Sequence, residues 1–288
     1  MKFLLTAINA KFIHSNPAIY SLRAGVGEKL QPYVELAEFT INESLESILE
    51  GIWKRQPKVI GFSCYIWNWK LIREILTELP KILPDTEIWL GGPEVTYDGP
   101  GLLREFPQIT GIMVGEGEVT FREVLDHYVR ETETAGQSEQ QPEPDSIEQQ
   151  AADRTGTVAG KSVAERFGQI SGLCLASGYT APRELTDLTT LPFLYEDMEP
   201  FTNRIIYYET SRGCPYRCSY CLSSIDKKVR LRDIDVVKRE LQFFLDQNVK
   251  QVKFIDRTFN CDHKHAMEIW EYIYKHDNGV TNFHFEIS

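Results

Sequence analysis

The sequence predicts an α/β protein: a doubly wound parallel sheet at the N-terminus, then a second, shorter run of βα units. Three observations carry this. Across residues 1–130, short apolar runs of strand length alternate five times with amphipathic helical segments, without hairpin signals. The alternation dissolves between residues 131 and 165. It resumes at Arg204 and continues to the last residue. With 288 residues, 42% of them hydrophobic and 25% charged, the chain is long enough for two domains with separate cores.

The first strand is "KFLLTAIN". The opening has the look of an export signal, but the apolar segment is short, Asn9 and Lys11 interrupt it, and no small-residue cleavage site follows. "VELAEFT", "KVIGFSCY", "EIWLGG" and "GIMVGEG" read as the next four strands. Between the second and third, "ESLESILEGIWKR" places Leu45, Ile48, Leu49 and Ile52 on one helical face. A parallel sheet of this class binds ligands beyond the carboxyl ends of its strands, so residues 9–16, 63–67, 91–95 and 115–118 form the expected rim of a pocket.

Residues 131–165 are expected to be a disordered acidic linker. Between 131 and 160 there is no aromatic residue, Ile147 and Val158 are the only large aliphatics, and seven acids face Arg154 alone. Residues 166–203 read as a hairpin, "ISGLCLASGYTAP" turning near Ser177-Gly178, and a Pro-punctuated connector, "LPFLYEDMEPF". From Arg204 the order is strand "IIYYETS", a cysteine-bearing loop, a helix over residues 234–247, strand "QVKFIDRT", a helix over 263–275 and strand "NFHFEIS". Ending on a strand reads as a parallel fold cut short at Ser288.

The net charge of −11 disfavours a general nucleic-acid binder. Locally, however, Arg204, Arg212, Arg217, Lys227, Lys228, Arg230 and Arg232 outnumber Glu209 and Asp226, a basic island that is either a solvated surface or a site for anionic ligands. No apolar run reaches the ~20 residues that a membrane span needs. Six cysteines without an export signal place the chain in a reducing compartment, the cytoplasm, where clustered thiols mean metal more often than disulfide.

Three of those cysteines, Cys214, Cys218 and Cys221, stand at C-x3-C-x2-C spacing in "TSRGCPYRCSYCLSS". Structural zinc wants four ligands, usually two C-x2-C pairs, and only one such pair exists here. A [4Fe–4S] cluster on three thiolates keeps one iron open for a substrate. Cys64, Cys174 and Cys261 are too far away in sequence to complete the set locally.

"RGCPYRCSYC" resembles the signature of the radical S-adenosylmethionine (SAM) superfamily. The resemblance implies a partial (β/α)6 barrel, here its first part over residues 204–288, in which Cys214, Cys218 and Cys221 hold the cluster. The fourth iron would chelate SAM, Tyr220 would lie against the adenine, and a flavodoxin- or ferredoxin-type electron donor would serve the cluster. Where that superfamily often has Gly-Gly-Glu after the second strand, this chain has "FIDRTF", with Asp256 as a replacement acceptor for the SAM ammonium or as a cap on the turn.

With an α/β domain in front, the whole resembles the B12-dependent radical SAM class, whose first domain is a flavodoxin-like cobalamin binder. Ser63, Gly91, Gly92, Gly115 and Gly117 match in kind the small residues beside the nucleotide tail. No D-x-H-x-x-G motif occurs, and His14 in "KFIHSNP" lacks its flanking residues, so cobalamin is expected base-off without a protein histidine. Tyr65, Trp67 and Trp69 either wall the corrin or pack on the neighbouring domain. The resemblance implies methyl transfer to an unactivated carbon of an unidentified substrate. Radical rearrangement or ring formation, and a non-catalytic binding module, are the alternatives. A methylthiotransferase is less expected, since only Cys64 lies in the first domain.

Overall fold

A computed structural model describes residues 1–138, 161–226 and 228–287. The chain divides into two compact units. One comprises Met1–Lys11 and Ala18–Leu185, the other Phe12–Pro17 and Thr186–Ser288.

The first unit runs β1 (Phe3–Asn9), α1 (Pro17–Gly25), β2 (Val34–Thr40), α2 (Leu45–Trp53), β3 (Val59–Ser63), α3 (Trp69–Ile82), β4 (Glu87–Gly91), α4 (Gly99–Glu105), β5 (Ile109–Met113) and α5 (Glu118–Ser138). A short α6 (Val163–Phe167) and the hairpin β6 (Leu173–Leu175) and β7 (Gly178–Tyr179) follow. Sheet order is β2-β1-β3-β4-β5-β6-β7, parallel through β5 and antiparallel thereafter. Every residue of β1 is buried, because it lies between β2 and β3 and both its faces are covered, which is why it reads as one apolar run. On one face Leu4, Ile60 and Phe62 meet Ile48, Ile72 and Leu76 from α2 and α3. On the other, Phe3, Leu5 and Trp89 meet Ile19, Phe121, Leu125 and Phe167.

The structure departs from the expected boundaries at three points. Strand β5 begins at Ile109, ahead of "GIMVGEG", and α5 continues past residue 130 to Ser138. The hairpin does not stand apart from the first sheet. It covers the β5 edge, with Ile112 opposite Cys174, a Val114 N–H donating to Gly172 O at 2.8 Å, and Arg183 donating to Ser171 O and Glu123. Of the expected linker, 131–138 is helical and Ser162 opens α6 with a capping box to Glu165; residues 139–160 lie outside the described residues.

The second unit contains β8 (Ile206–Tyr208), β9 (Ser211–Arg212), β10 (Arg230–Leu231), α7 (Ile234–Asp246), β11 (Gln251–Phe254), α8 (His263–His276) and β12 (Asn282–His284). Strands β12-β11-β8 form a parallel sheet and β9-β10 an antiparallel ribbon. Tyr208 and Phe254 turn to the helices, Tyr208 packing edge-on against Phe244 of α7 at 5.4 Å. By alternation, the opposite face carries Tyr207, Lys253 and His284 in one register row. Asp233 and Asp262 cap α7 and α8 with their carboxylates. Among the described residues, no helix is long and apolar enough to cross a membrane.

Candidate functional site

In the first unit the strand order reverses between β1 and β3, the switch point at which sheets of this class take ligands. Asn68, fully buried ahead of α3, bridges the two strand ends: its Nδ2 donates to Ile8 O at 3.0 Å and Ser63 O at 2.9 Å, and its Oδ1 accepts from Tyr65 N at 2.8 Å. Sequence reasoning missed Asn68. The available signal was a lone amide in the aromatic run "YIWNW", where a buried polar side chain must be bonded. Tyr65 and Trp67 stack, centroids 4.4 Å apart, and Ile66 and Trp67 are exposed beside them. On β1, Asn9 donates to Glu38, which also accepts from Tyr20.

The expected small residues divide by role. Gly92 has φ +110°, and an added Cβ would sit 2.5 Å from Cys64 O, so this glycine is demanded by the chain's own β3–β4 crossing rather than by a ligand. The crossing is tied by Cys64 N donating to Gly91 O at 2.7 Å, and burial pushes the Cys64 thiol well above its ordinary pKa. At Gly117 a Cβ would press on Leu22 at 3.0 Å, which again is internal packing. Ser63, Gly91 and Gly115 remain at the rim. A Cβ on Gly115 would meet nothing within 4 Å, and one on Gly91 only ordinary contacts with Met113. Gly115 has φ +81°, a conformation that favours glycine whatever surrounds it.

In the second unit the three cysteines occupy the loop closed by the β9-β10 ribbon, in which Ser211 pairs with Leu231 and Arg212 with Arg230. Gly213 has φ +92°, and a Cβ there would lie 2.3 Å from Lys228 O, so the chain enters the loop by a path that only glycine follows. Cys214 N then donates to Asp226 O at 3.0 Å, and Cys221 N to Cys218 O at 3.1 Å. Cys214 is buried, while Cys218 and Cys221 are exposed. Among the described residues, no group of three or more His, Cys, Asp or Glu side chains is gathered as metal ligands. The fit to an iron–sulfur cluster therefore rests on donor chemistry: one loop supplies three soft thiols, two of them exposed on its turn. Tyr220 is 91% exposed and offers a free ring face.

Asp256 lies at the root of the cysteine loop. It is 1% exposed, and its Oδ1 accepts from Thr210 Oγ1 at 2.7 Å, Ser211 Oγ at 2.5 Å and Thr210 N at 3.2 Å, with Oδ2 also facing Thr210 N at 3.3 Å. Burial raises its pKa, and these bonds oppose the rise. The carboxylate engages the residues just ahead of the cysteine loop, mainly through Oδ1. Thr258, two residues on, places Oγ1 3.7 Å from Cys214 Sγ.

His14 falls in the second unit, paired with Ile205 and with its Nδ1 hydrogen-bonded to the Tyr207 hydroxyl. Much of the basic island is internally paired: Arg212 with Glu209, Arg230 with Asp226, and Arg232 with Glu240 at 2.6 Å. Glu240 also accepts from the Tyr208 hydroxyl, completing a buried triad behind the sheet.

Residues 4–125 match the family model of the B12 binding domain. Over those residues the first unit is similar to B12-binding domains, and its doubly wound sheet has the switch point at which sheets of this class take ligands. Curated proteins and solved structures resemble a larger part of the chain. An uncharacterized methyltransferase from Pyrococcus horikoshii is 27% identical over 78% of this chain and 45% of its own length. The cobalamin-dependent radical SAM methyltransferase TokK of Streptomyces tokunonensis is 27% identical over 71% of this chain and 28% of its own. In fold, the cobalamin-dependent SAM radical enzyme OxsB, solved with aqua-cobalamin and SAM bound, superposes with a TM-score of 0.68 at 17% identity, covering 98% of this chain and 38% of that one. The chain thus spans less than half the length of these relatives.

Proposed function

We propose that the chain is the cobalamin-binding and cluster-bearing part of a radical SAM enzyme that transfers a methyl group to an unactivated carbon. One observation carries this reading: downstream of a B12-binding domain, three thiols sit on a single loop whose root is fixed to the adjacent strand by Asp256. When bound, a [4Fe–4S] cluster would supply the electron that cleaves SAM, and cobalamin would supply the methyl carrier.

The chain's own residues then have defined tasks. Cys214, Cys218 and Cys221 would hold the cluster through their thiolates. Gly213 and the β9-β10 ribbon set the loop's entry, and the exposed ring of Tyr220 takes the adenine face. Ser63, Gly91 and Gly115 flank the cobalamin tail, with Asn68 keeping their strand ends in register. The stacked Tyr65–Trp67 pair gives the corrin an aromatic wall. A cytoplasmic setting with a flavodoxin- or ferredoxin-type donor suits this chemistry.

The test is anaerobic reconstitution with iron and sulfide. About four irons per chain and brown thiolate-to-iron absorbance are expected, both lost in Cys218→Ala. Stoichiometric zinc in tetrahedral sulfur coordination would overturn the reading. In the intact enzyme, 5′-deoxyadenosine together with a methylated product marks the chemistry, and 5′-deoxyadenosine without methylation would indicate rearrangement or ring formation.

A further inference from the structure

Of the three cysteines, only Cys214 is withdrawn from water, at 8% exposure, and its sulfur has a side-chain hydroxyl beside it. That hydroxyl belongs to Thr258, itself 7% exposed, with Oγ1 3.7 Å from Cys214 Sγ. As a thiol, Cys214 donates or accepts in this contact. As a metal-bound thiolate it has no proton, and only Thr258 donates.

Both ends of the contact are fixed by backbone. Ile255 N donates to Tyr208 O at 2.9 Å, tying the β11 turn to β8. Phe259 N donates to Glu286 O, and Cys261 N to Thr258 O at 3.1 Å, holding the turn around Thr258. From the same turn Asp256 takes the hydroxyls of Thr210 and Ser211, the last residues before Arg212, Gly213 and Cys214. Two side chains of "DRT" therefore grip the cysteine loop, one at its root and one at its first sulfur.

Resting on the radical SAM reading above, we infer that Thr258 tunes the reduction potential of the cluster through a hydrogen bond to the Cys214 sulfur, and that Asp256 is a positioning residue that makes this bond possible. The direction follows from charge. Reduction adds an electron, part of which resides on the ligand sulfurs, so a donor at sulfur stabilises the reduced form more than the oxidised form and raises the potential. Water competes little where both partners are buried.

The experiment uses the whole chain, reconstituted anaerobically with iron and sulfide and titrated by EPR without SAM. Thr258→Val keeps the shape and removes the donor; Thr258→Ser restores it. The expected result is wild-type iron content in both variants, a midpoint moved to more negative potential in Thr258→Val, and a wild-type midpoint in Thr258→Ser. Asp256→Asn puts an amide where Oδ2 meets Thr210 N, and should load less iron while binding hydroxocobalamin as the wild type does. If Thr258→Val loses its cluster, pulsed EPR on the wild type decides: an exchangeable proton coupled to the cluster, removed in D2O and retained in Thr258→Ser, is expected, and its absence refutes the bond. A loaded Thr258→Val with an unchanged midpoint overturns the inference about Thr258 alone. An Asp256→Asn chain that loads and titrates as wild type overturns the positioning role. Wild-type chain that takes up no iron removes the underlying reading and this inference together.

Discussion

Asn68 donates a hydrogen bond to the main-chain oxygen of Ile8 at 3.0 Å, so a residue of the β3–α3 turn closes the carboxyl end of β1. The same amide nitrogen holds Ser63 O, and the amide oxygen takes Tyr65 N. The switch point of the sheet is thus stitched by one side chain that commits both of its N–H donors and its carbonyl oxygen to the backbone.

Asn68→Ala should cost the first unit about 3 kcal/mol, because it removes three hydrogen bonds made by one fully buried side chain. The measurement is the denaturation midpoint together with hydroxocobalamin affinity. Both should fall, and a variant with unchanged midpoint and affinity would show that the bridge is dispensable.

Arg166 is the second test of stability. Its buried guanidinium pairs with Glu87 at 2.9 Å and Glu131 at 2.8 Å and lies over the rings of Tyr128 and Phe167. Arg166→Met strands two carboxylates and should destabilise by about 3 kcal/mol. Burial pushes the Glu131 carboxyl up, yet the bond and charge of Arg166 outweigh it, and its pKa ends below the ordinary 4.5. A depressed carboxylate contributes stability above its unfolded pKa and loses it as pH falls through the folded one. Wild type should therefore show an acid-side loss beginning near pH 4.5 that Arg166→Met lacks.

His265 predicts a pH effect in the second unit. Its Nε2 is buried without a hydrogen-bond partner, and burial holds its pKa below the ordinary 6.5 against the opposing charges of Asp256, Asp262 and Glu268. Below pH 6.5 the unfolded imidazole takes up a proton that the folded one resists, so stability is full above that pH and declines beneath it. His265→Leu should flatten this decline in denaturant titrations between pH 5 and 6.5, and a slope equal to wild type's would count against it.

His14 tests the cobalt ligand. Its Nδ1 is engaged by the Tyr207 hydroxyl. His14→Ala should leave the spectrum of bound hydroxocobalamin unchanged, whereas a shifted spectrum would give His14 a place at the metal.

Gly92→Ala should destabilise the first unit by about 2 kcal/mol through strain at φ +110° alone, before the 2.5 Å clash with Cys64 O is relieved. Thermal melting checks it, with Gly91→Ala as the tolerated control.

The strands of the first sheet, the helix faces and the C-x3-C-x2-C loop were legible in the sequence because each is written in local periodicity or spacing. Apolar runs of strand length, Leu45 to Ile52 on one helical face, and three thiols within eight residues need no knowledge of what lies across the fold. Partnership across the chain was not legible. Asp256 was read as an acceptor for an ammonium or a cap on its turn, and only the parallel pairing of β11 with β8 brings Thr210 and Ser211 to its carboxylate. The glycines likewise looked alike in sequence, and the approach of the β3 and β4 strand ends set Cys64 O against Gly92, while Gly115, at φ +81°, has nothing within 4 Å of an added Cβ. Thr258 and Arg166 carry no local signature, and Asn68 only that of a lone amide in an aromatic run, since a hydrogen-bonding group declares its use only when folding removes water and leaves it one partner.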